Sequence, residues 1–489
     1  MFDNPARPRY FCAQEDQPMQ TPAVWRDDPA CGHGVAHAYQ THYCSYTRTP
    51  RLLTLQRAAD DDELALIAAC QWYELWFKVL RLDLAAALAS DGQTYEPVKL
   101  LKRGLELFRL FEQHADLIET MLVRELRITR ALRGLEPMPS AQFREILRLA
   151  EALPRLAALA FPGLTDAVAE YAVRLQAFRV RYERFISATL LRAEAGPDYA
   201  GWLALETLLE LQEGVKGGWC AAGDAPQEFW LPDAVSPDEN MFIIVHQCFE
   251  LWFKAILNLV DRAIPALRDD LVDEATRLLR RAVLIQRLLV PQIQIPATML
   301  PLDFMRFRAR TRDHAGTVQA TGLAPASGTE SYQFREIEIV CGLRDDAVFQ
   351  KYLEGSDKLP VRLLTPRQRE RLRETSLPEA FREAVRRRGI ARYDELFTPA
   401  DIPNPHLDLA LLADTLLEFD EFFRLWRLNH VSMVEKMIGA KMGTGFLGVA
   451  YLAETTGLVR QTENRIFDEL QVRPRFFEEL WETRTRLSA

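Results

Sequence analysis

Two histidines of this chain stand where a buried imidazole could do chemistry. In the stretch Met241 to Leu257, MFIIVHQCFELWFKAIL, the residues Phe242, Ile243, Phe249 and Phe253 lie at −4, −3, +3 and +7 from His246 and share its helical face. Around His430, Phe423, Trp426, Met433, Val434 and Met437 fall on one face in the same way. Taken singly, each reads as a core histidine. Arg308, in LDFMRFR, is a fixed cation beside Phe304 and Phe307. It needs an anion, either a structural carboxylate or a substrate carboxylate held through two parallel hydrogen bonds. Gly443-Thr444-Gly445 is a flexible loop with a hydroxyl at its centre.

Together these groups are what a haem pocket for an aromatic acid requires. One neutral imidazole can hold the iron from one side and leave the other face open for O₂, while a second hydrogen-bonds the ligand or substrate. Another cluster, Cys12, Cys31, His33, His37, His42 and Cys44, invites a metal reading, but its spacings match no zinc pattern and no CxxCH haem attachment is present. A structural role is expected there.

The elements that must position these residues are helices. Asp60-Asp61-Asp62 offers an N-cap, Ala and Leu dominate to Ala89, and Asp91-Gly92 closes the run. Amphipathic stretches follow over Val98 to Leu126, Ala141 to Leu153, Thr165 to Arg192, Asp269 to Leu289 and Leu407 to Ile438. Strand-like alternation is scarce, so the fold class is all-α. At 489 residues, with 48% hydrophobic residues, the chain can bury a large core. The net charge of −9 argues against nucleic acid or an anionic membrane as a partner. Seven scattered cysteines without a CxxC pair, and no apparent targeting segment or uncharged apolar run of spanning length, suggest a cytoplasmic protein.

The chain also repeats itself. QWYELWFK at Gln71 to Lys78 returns as QCFELWFK at Gln247 to Lys254, with Cys70 where the second copy has His246. Tyr43, Tyr46 and LLTLQ (Leu52 to Gln56) return as Tyr199, Trp202 and LLELQ (Leu208 to Gln212). Duplication with one elaborated copy is the simplest account.

The segments FIIVHQCFELWFK, LDFMRFR, PASG followed by SYQFRE, and NHVSMVEKMIGAKMGTG, in that order, resemble tryptophan 2,3-dioxygenase over about Tyr199 to Tyr451. The resemblance implies an all-α haem b enzyme that inserts both atoms of O₂ across the indole C2–C3 bond. It implies His430 as proximal iron ligand and His246 as the distal residue that hydrogen-bonds the indole N–H. Phe242 and Phe304 would pack on the ring, Arg308 would hold the carboxylate, Ser327 would lie near the haem edge and Thr444 would contact the amino-acid head group. Where the family continues Gly-Ser-Ser after the loop, this chain has Phe446-Leu447-Gly448. A different indole or aromatic substrate, a haem-dependent aromatic mono-oxygenase, or a non-catalytic haem-binding relative are the alternatives.

Three units are expected: an irregular arm over 1–42, a degenerate helical repeat without haem over 43–195, and the dioxygenase-like haem domain over 196–489. In the family a tyrosine-bearing arm reaches into a neighbouring subunit of a tetramer. The first repeat would replace that neighbour, so that Tyr43 and Tyr46, or Tyr199 and Trp202, line a single pocket and the assembly is a homodimer.

Overall fold

The computed structural model describes residues 26–27, 31–37, 42–124, 129–159, 161–214, 229–230, 235–307, 310–312, 318–320, 331–344, 364–438 and 475–487. Two long core helices lie at its centre, α3 (Asp61–Ala89) from the first repeat and α10 (Pro237–Arg268) from the second, and they pack against each other. Each starts on a side-chain cap, Asp60 accepting from Glu63 N and Ser236 from Glu239 N, with acidic residues in the first turn where the helix dipole favours them.

Before each core helix stands a two-part arm. In the first repeat it is α1 (Tyr43–Thr47) and α2 (Thr49–Leu52); in the second it is α8 (Tyr199–Trp202) and α9 (Leu205–Leu208). The joint between the two parts is a non-glycine residue in the left-handed region both times, Arg48 at φ 53° and Ala204 at φ 50°. That conformation costs about 1–2 kcal/mol, and its presence at equivalent positions marks the arms as copies.

Around α3 are packed α4 (Glu96–Arg124), α5 (Ala141–Ala150), α6 (Leu153–Ala157) and α7 (Leu164–Thr189). Gly104 lets α4 and α7 close up, since a Cβ there would overlap the Tyr171 ring. Around α10 are α11 (Val272–Gln292), α12 (Pro301–Phe307), α13 (Tyr332–Val340), α14 (Pro366–Arg371), α15 (Leu377–Arg387), α16 (Leu407–Ile438) and α17 (Glu478–Arg486). The pairing of α4 with α7 is matched by that of α11 with α16. The expected helices are therefore present, with two changes. The run expected over Ala141 to Leu153 stops at Ala150, and Leu153 opens α6. Leu190 to Arg192, read as the end of a helix, belongs to strand β4 (Leu190–Ala193), which pairs in parallel with β3 (Arg130–Arg133). Leu190 turns extended and caps α7, and its neighbours find ladder partners instead of a further helical turn.

The arms are exchanged. Gln247 of α10 donates to the Thr47 carbonyl and Lys254 to the Leu53 carbonyl and to Gln56 Oε1, all in the first arm. In mirror fashion, Gln71 of α3 donates to the Leu203 carbonyl and Lys78 to the Leu209 carbonyl and to Gln212 Oε1, all in the second. Ion pairs cross as well: Arg103 of α4 meets Asp238 at the start of α10, and Arg281 of α11 meets Asp62 at the start of α3. The two sequence repeats thus interlock in space. One continuous apolar core runs through both, with Trp72, Trp76 and Trp252 fully buried.

By length and composition α10 could cross a membrane, although Glu250 and Lys254 interrupt it and leave no uncharged run of spanning length. It is instead a core helix, with 83% of its most apolar window buried inside the protein.

Candidate functional site

α10 brings His246 to the site in its third turn. The ring nitrogen Nδ1 lies 2.7 Å from the carbonyl oxygen of Phe242, one turn back. A carbonyl only accepts, so Nδ1 carries the proton, and in the neutral ring Nε2 is left as an acceptor. The Phe242 ring meets the imidazole edge-on at 4.7 Å between centroids, and Phe304 from α12 lies 5.4 Å from Phe242.

From the first repeat, α1 supplies two aromatic rings to the same place. Tyr43 stands T-shaped to His246 at 5.8 Å, and Tyr46 lies 6.4 Å from Phe242. Burial pushes both phenols well above their ordinary range, Tyr43 further so by the Glu250 charge and Tyr46 by that of Glu239. Both remain protonated at neutral pH. Tyr199 and Trp202 are not brought to His246. They lie against α3, where the Tyr199 hydroxyl donates to Glu74 at 3.0 Å and Trp202 Nε1 to Glu63 at 3.1 Å.

His430 comes from α16, with Trp426 one turn back at 5.4 Å between centroids. Burial holds its imidazole down to about 4, with the nearby His246 adding to the effect; burial likewise holds His246 down to about 4, offset in part by the Phe242 carbonyl. Both rings are neutral at physiological pH. Although desolvated, each is only partly covered, whereas Phe242 and Trp426 beside them are buried. The two imidazoles are thus close enough to influence each other electrostatically, each beside a buried aromatic ring.

A neutral imidazole nitrogen among buried aromatic rings would suit a haem iron, which takes few ligands from the protein. Among the described residues no group of three His, Cys, Asp or Glu side chains converges as a protein-built metal cage would need. This includes Cys31, His33, His42 and Cys44, whose metal reading is not supported: His42 caps α1 through Nδ1, and His33 packs on Tyr332. Cys12 and the side chain of His37 lie outside the described residues, as do Arg308, Ser327, Thr444 and the loop around it.

The matching region of the first repeat is closed. Cys70 replaces His246, burial and Glu74 push its thiol well above the usual range, and α7 carries no histidine. Phe178, Tyr182 and Phe185 of α7 pack instead on Tyr73 and Phe77 of α3, all of them buried.

Sequence reasoning passed over Glu250, Ser331 and Gln333, which hold Tyr43 in place. A signal was available, since SAQFRE at Ser140 to Glu145 matches SYQFRE at Ser331 to Glu336.

Two neighbouring neutral imidazoles, the aromatic rings around them and an all-helical scaffold are consistent with the haem-dioxygenase-like class of all-α proteins. The sequence model of tryptophan 2,3-dioxygenase matches residues 190–391 and 401–485. A tryptophan 2,3-dioxygenase of Herpetosiphon aurantiacus is 32% identical over 308 residues, 59% of this chain and 98% of that protein. One from a Nocardioides species is 34% identical over 261 residues, 50% of this chain and 84% of its own length. The chain belongs to the tryptophan 2,3-dioxygenase family and is an enzyme of that type. The family match begins at residue 190, so nearly all of the first repeat lies outside it.

Proposed function

We propose that the chain is a haem b dioxygenase that inserts O₂ into the indole C2–C3 bond of L-tryptophan or a related indole, giving an N-formylkynurenine-type product. The observation that supports this reading is the pair of neighbouring neutral imidazoles, His246 and His430, each beside a buried aromatic ring. His430 would hold the iron. Haem, when bound, supplies the ferrous centre that activates O₂.

The chain's own residues bind, orient and exclude water. His246 Nε2 accepts the indole N–H, because Nδ1 is already committed to Phe242. Phe242 and Phe304 flank the ring plane, and Tyr43 and Tyr46 close the wall from the first repeat. By the resemblance, Arg308 takes the substrate carboxylate, Thr444 its head group, and Ser327 stands at the haem edge. The family match favours this reading over a mono-oxygenase or a non-catalytic haem binder.

The first repeat, with Cys70 for histidine and its aromatic filling, carries no haem, so one haem per chain is expected. Its arm does for α10 what a neighbouring subunit's arm does in the family, and we assign the assembly as a homodimer in a cytoplasmic setting. Purified protein supplied with haemin should show a Soret band at one haem per chain. Once reduced, it should consume O₂ with L-tryptophan and release a formylkynurenine chromophore. A protein that stays colourless, or binds haem and leaves every indole untouched, overturns the reading. Light scattering at the mass of four chains overturns the dimer.

A further inference from the structure

Glu250 lies one turn beyond His246 on α10 and is fully buried. Its Oε1 accepts from the Tyr43 hydroxyl at 2.7 Å and from Ser331 Oγ at 2.5 Å. Its Oε2 accepts from Gln333 Nε2 at 2.7 Å, and the same amide reaches the Glu250 backbone carbonyl at 2.7 Å. A carboxylate is an acceptor only, and donors on both oxygens satisfy it inside the protein. The Ser331 hydroxyl also caps α13 by accepting from Phe334 N. The Tyr43 ring held this way is the one that meets the edge of His246.

The first repeat contains the same clamp. Glu74 accepts from the Tyr199 hydroxyl at 3.0 Å and from Gln142 Nε2 at 3.1 Å, and that amide also bonds the Glu74 carbonyl at 2.7 Å. Ser140 hydrogen-bonds the Glu74 carboxyl and caps α5 through Phe143 N, as Ser331 caps α13. Here the residue one turn back is Cys70. The structural work of the two clamps is therefore alike, and only one stands beside an imidazole.

We propose that Glu250 is a positioning residue for the reaction: by holding the Tyr43 hydroxyl it fixes an aromatic ring of the first repeat against His246 and so sets the wall that receives substrate. This rests on the proposed function for the meaning of that wall. The mirror clamp supplies the control, because Tyr43→Phe and Tyr199→Phe each remove a buried hydroxyl that donates to the clamp carboxylate, the Tyr199 hydroxyl having Tyr182 Oη at 3.2 Å as a further partner.

In the full haem-loaded chain, each variant should lower the thermal midpoint by a few degrees, Tyr199→Phe at least as much as Tyr43→Phe because it also loses the Tyr182 contact. Tyr43→Phe should raise KM for L-tryptophan about tenfold with kcat within about twofold, and Tyr199→Phe should move neither. Equal KM shifts in the two variants, or none in Tyr43→Phe, overturn the proposal. Hydrogen exchange of the haem-free full chain gives a readout without turnover. Glu250→Gln should speed exchange over residues 43–47 about tenfold while Glu74→Gln leaves it unchanged. Unchanged exchange in Glu250→Gln also overturns the proposal. If the unsubstituted protein fails to turn over tryptophan while Glu250→Gln loosens residues 43–47, the functional reading falls and the hold of Glu250 on Tyr43 stands.

Discussion

Nδ1 of His246 sits 2.7 Å from the carbonyl oxygen of Phe242, and this one contact fixes which ring nitrogen can meet a substrate. With Nδ1 as donor to the helix, Nε2 is an acceptor whenever the ring is neutral. Burial keeps it neutral down to about 4. His246→Ala should keep its haem and lower kcat/KM by about 10- to 100-fold, the loss expected of one buried hydrogen bond to substrate. The pH profile between 6 and 8 should show no limb from this group, because the ring gains its proton only as pH falls toward 4. Soret titration and steady-state rates on the same preparation check both statements.

His430 is expected to behave in the opposite way. It is the neutral imidazole on α16, one turn from Trp426, and the residue proposed to hold the iron. His430→Ala should abolish stoichiometric haem binding while leaving the helical content by circular dichroism unchanged, since the rest of α16 packs through Phe423 and Trp426. Equal haem retention in the His246 and His430 variants would count against the ligand assignment.

Much of this was legible in sequence, and the gaps have physical causes. Helix spans followed from capping and periodicity, as at Asp60 and over Leu407–Ile438. Which arm closes which core helix was not legible. Tyr43 and Tyr199 precede their own core helices, and two near-identical copies offer each arm two near-identical docking faces. Only the fold shows the crossed arrangement, in which Gln247 and Lys254 bind the first arm. Glu250 escaped notice because a carboxylate inside ELWFK reads as one charge on a helix. Its partners, Tyr43, Ser331 and Gln333, are 207, 81 and 83 residues away. Leu190 to Arg192 reads as helix because its pattern suits either state, and the β3 partner decides it.

His114 gives a pH prediction away from the two imidazoles. It is fully buried on α4, stacked on Trp72 at 4.1 Å, with neither ring nitrogen hydrogen-bonded, and burial alone pushes it down to about 3. Its folded value lies below the unfolded value of about 6.5. The stability it allows is thus fully present above pH 6.5 and lost as pH falls from there toward 3. At pH 5 that loss is about 2 kcal/mol. His114→Phe keeps a stacking ring and removes the proton. Urea unfolding at pH 8 and pH 5 should show a fall in stability about 2 kcal/mol smaller in the variant than in the unsubstituted chain.

The last prediction concerns the ion pairs that cross between repeats. Arg103 of α4 reaches Asp83 on its own core helix and Asp238 at the head of α10, and all three are buried. Lys99, one turn away, holds Asp238 and also Asp303, the residue before Phe304 in α12. The first repeat thereby grips the two helices that present His246 and Phe304. Burial pushes Asp83 up to about 7 even with Arg103 beside it. Arg103→Met leaves buried Asp83 without its paired cation and Asp238 with Lys99 alone, at a cost of about 3–5 kcal/mol. Because the folded value of Asp83 is raised, its contribution is fully present below its unfolded value near 3.8 and is lost as pH rises through about 7. The variant should therefore be most damaged at pH 8 and regain stability toward pH 6. Denaturant midpoints across that range would show it, and a deficit independent of pH would mean that packing of the arginine stem, not its charge, holds the repeats together.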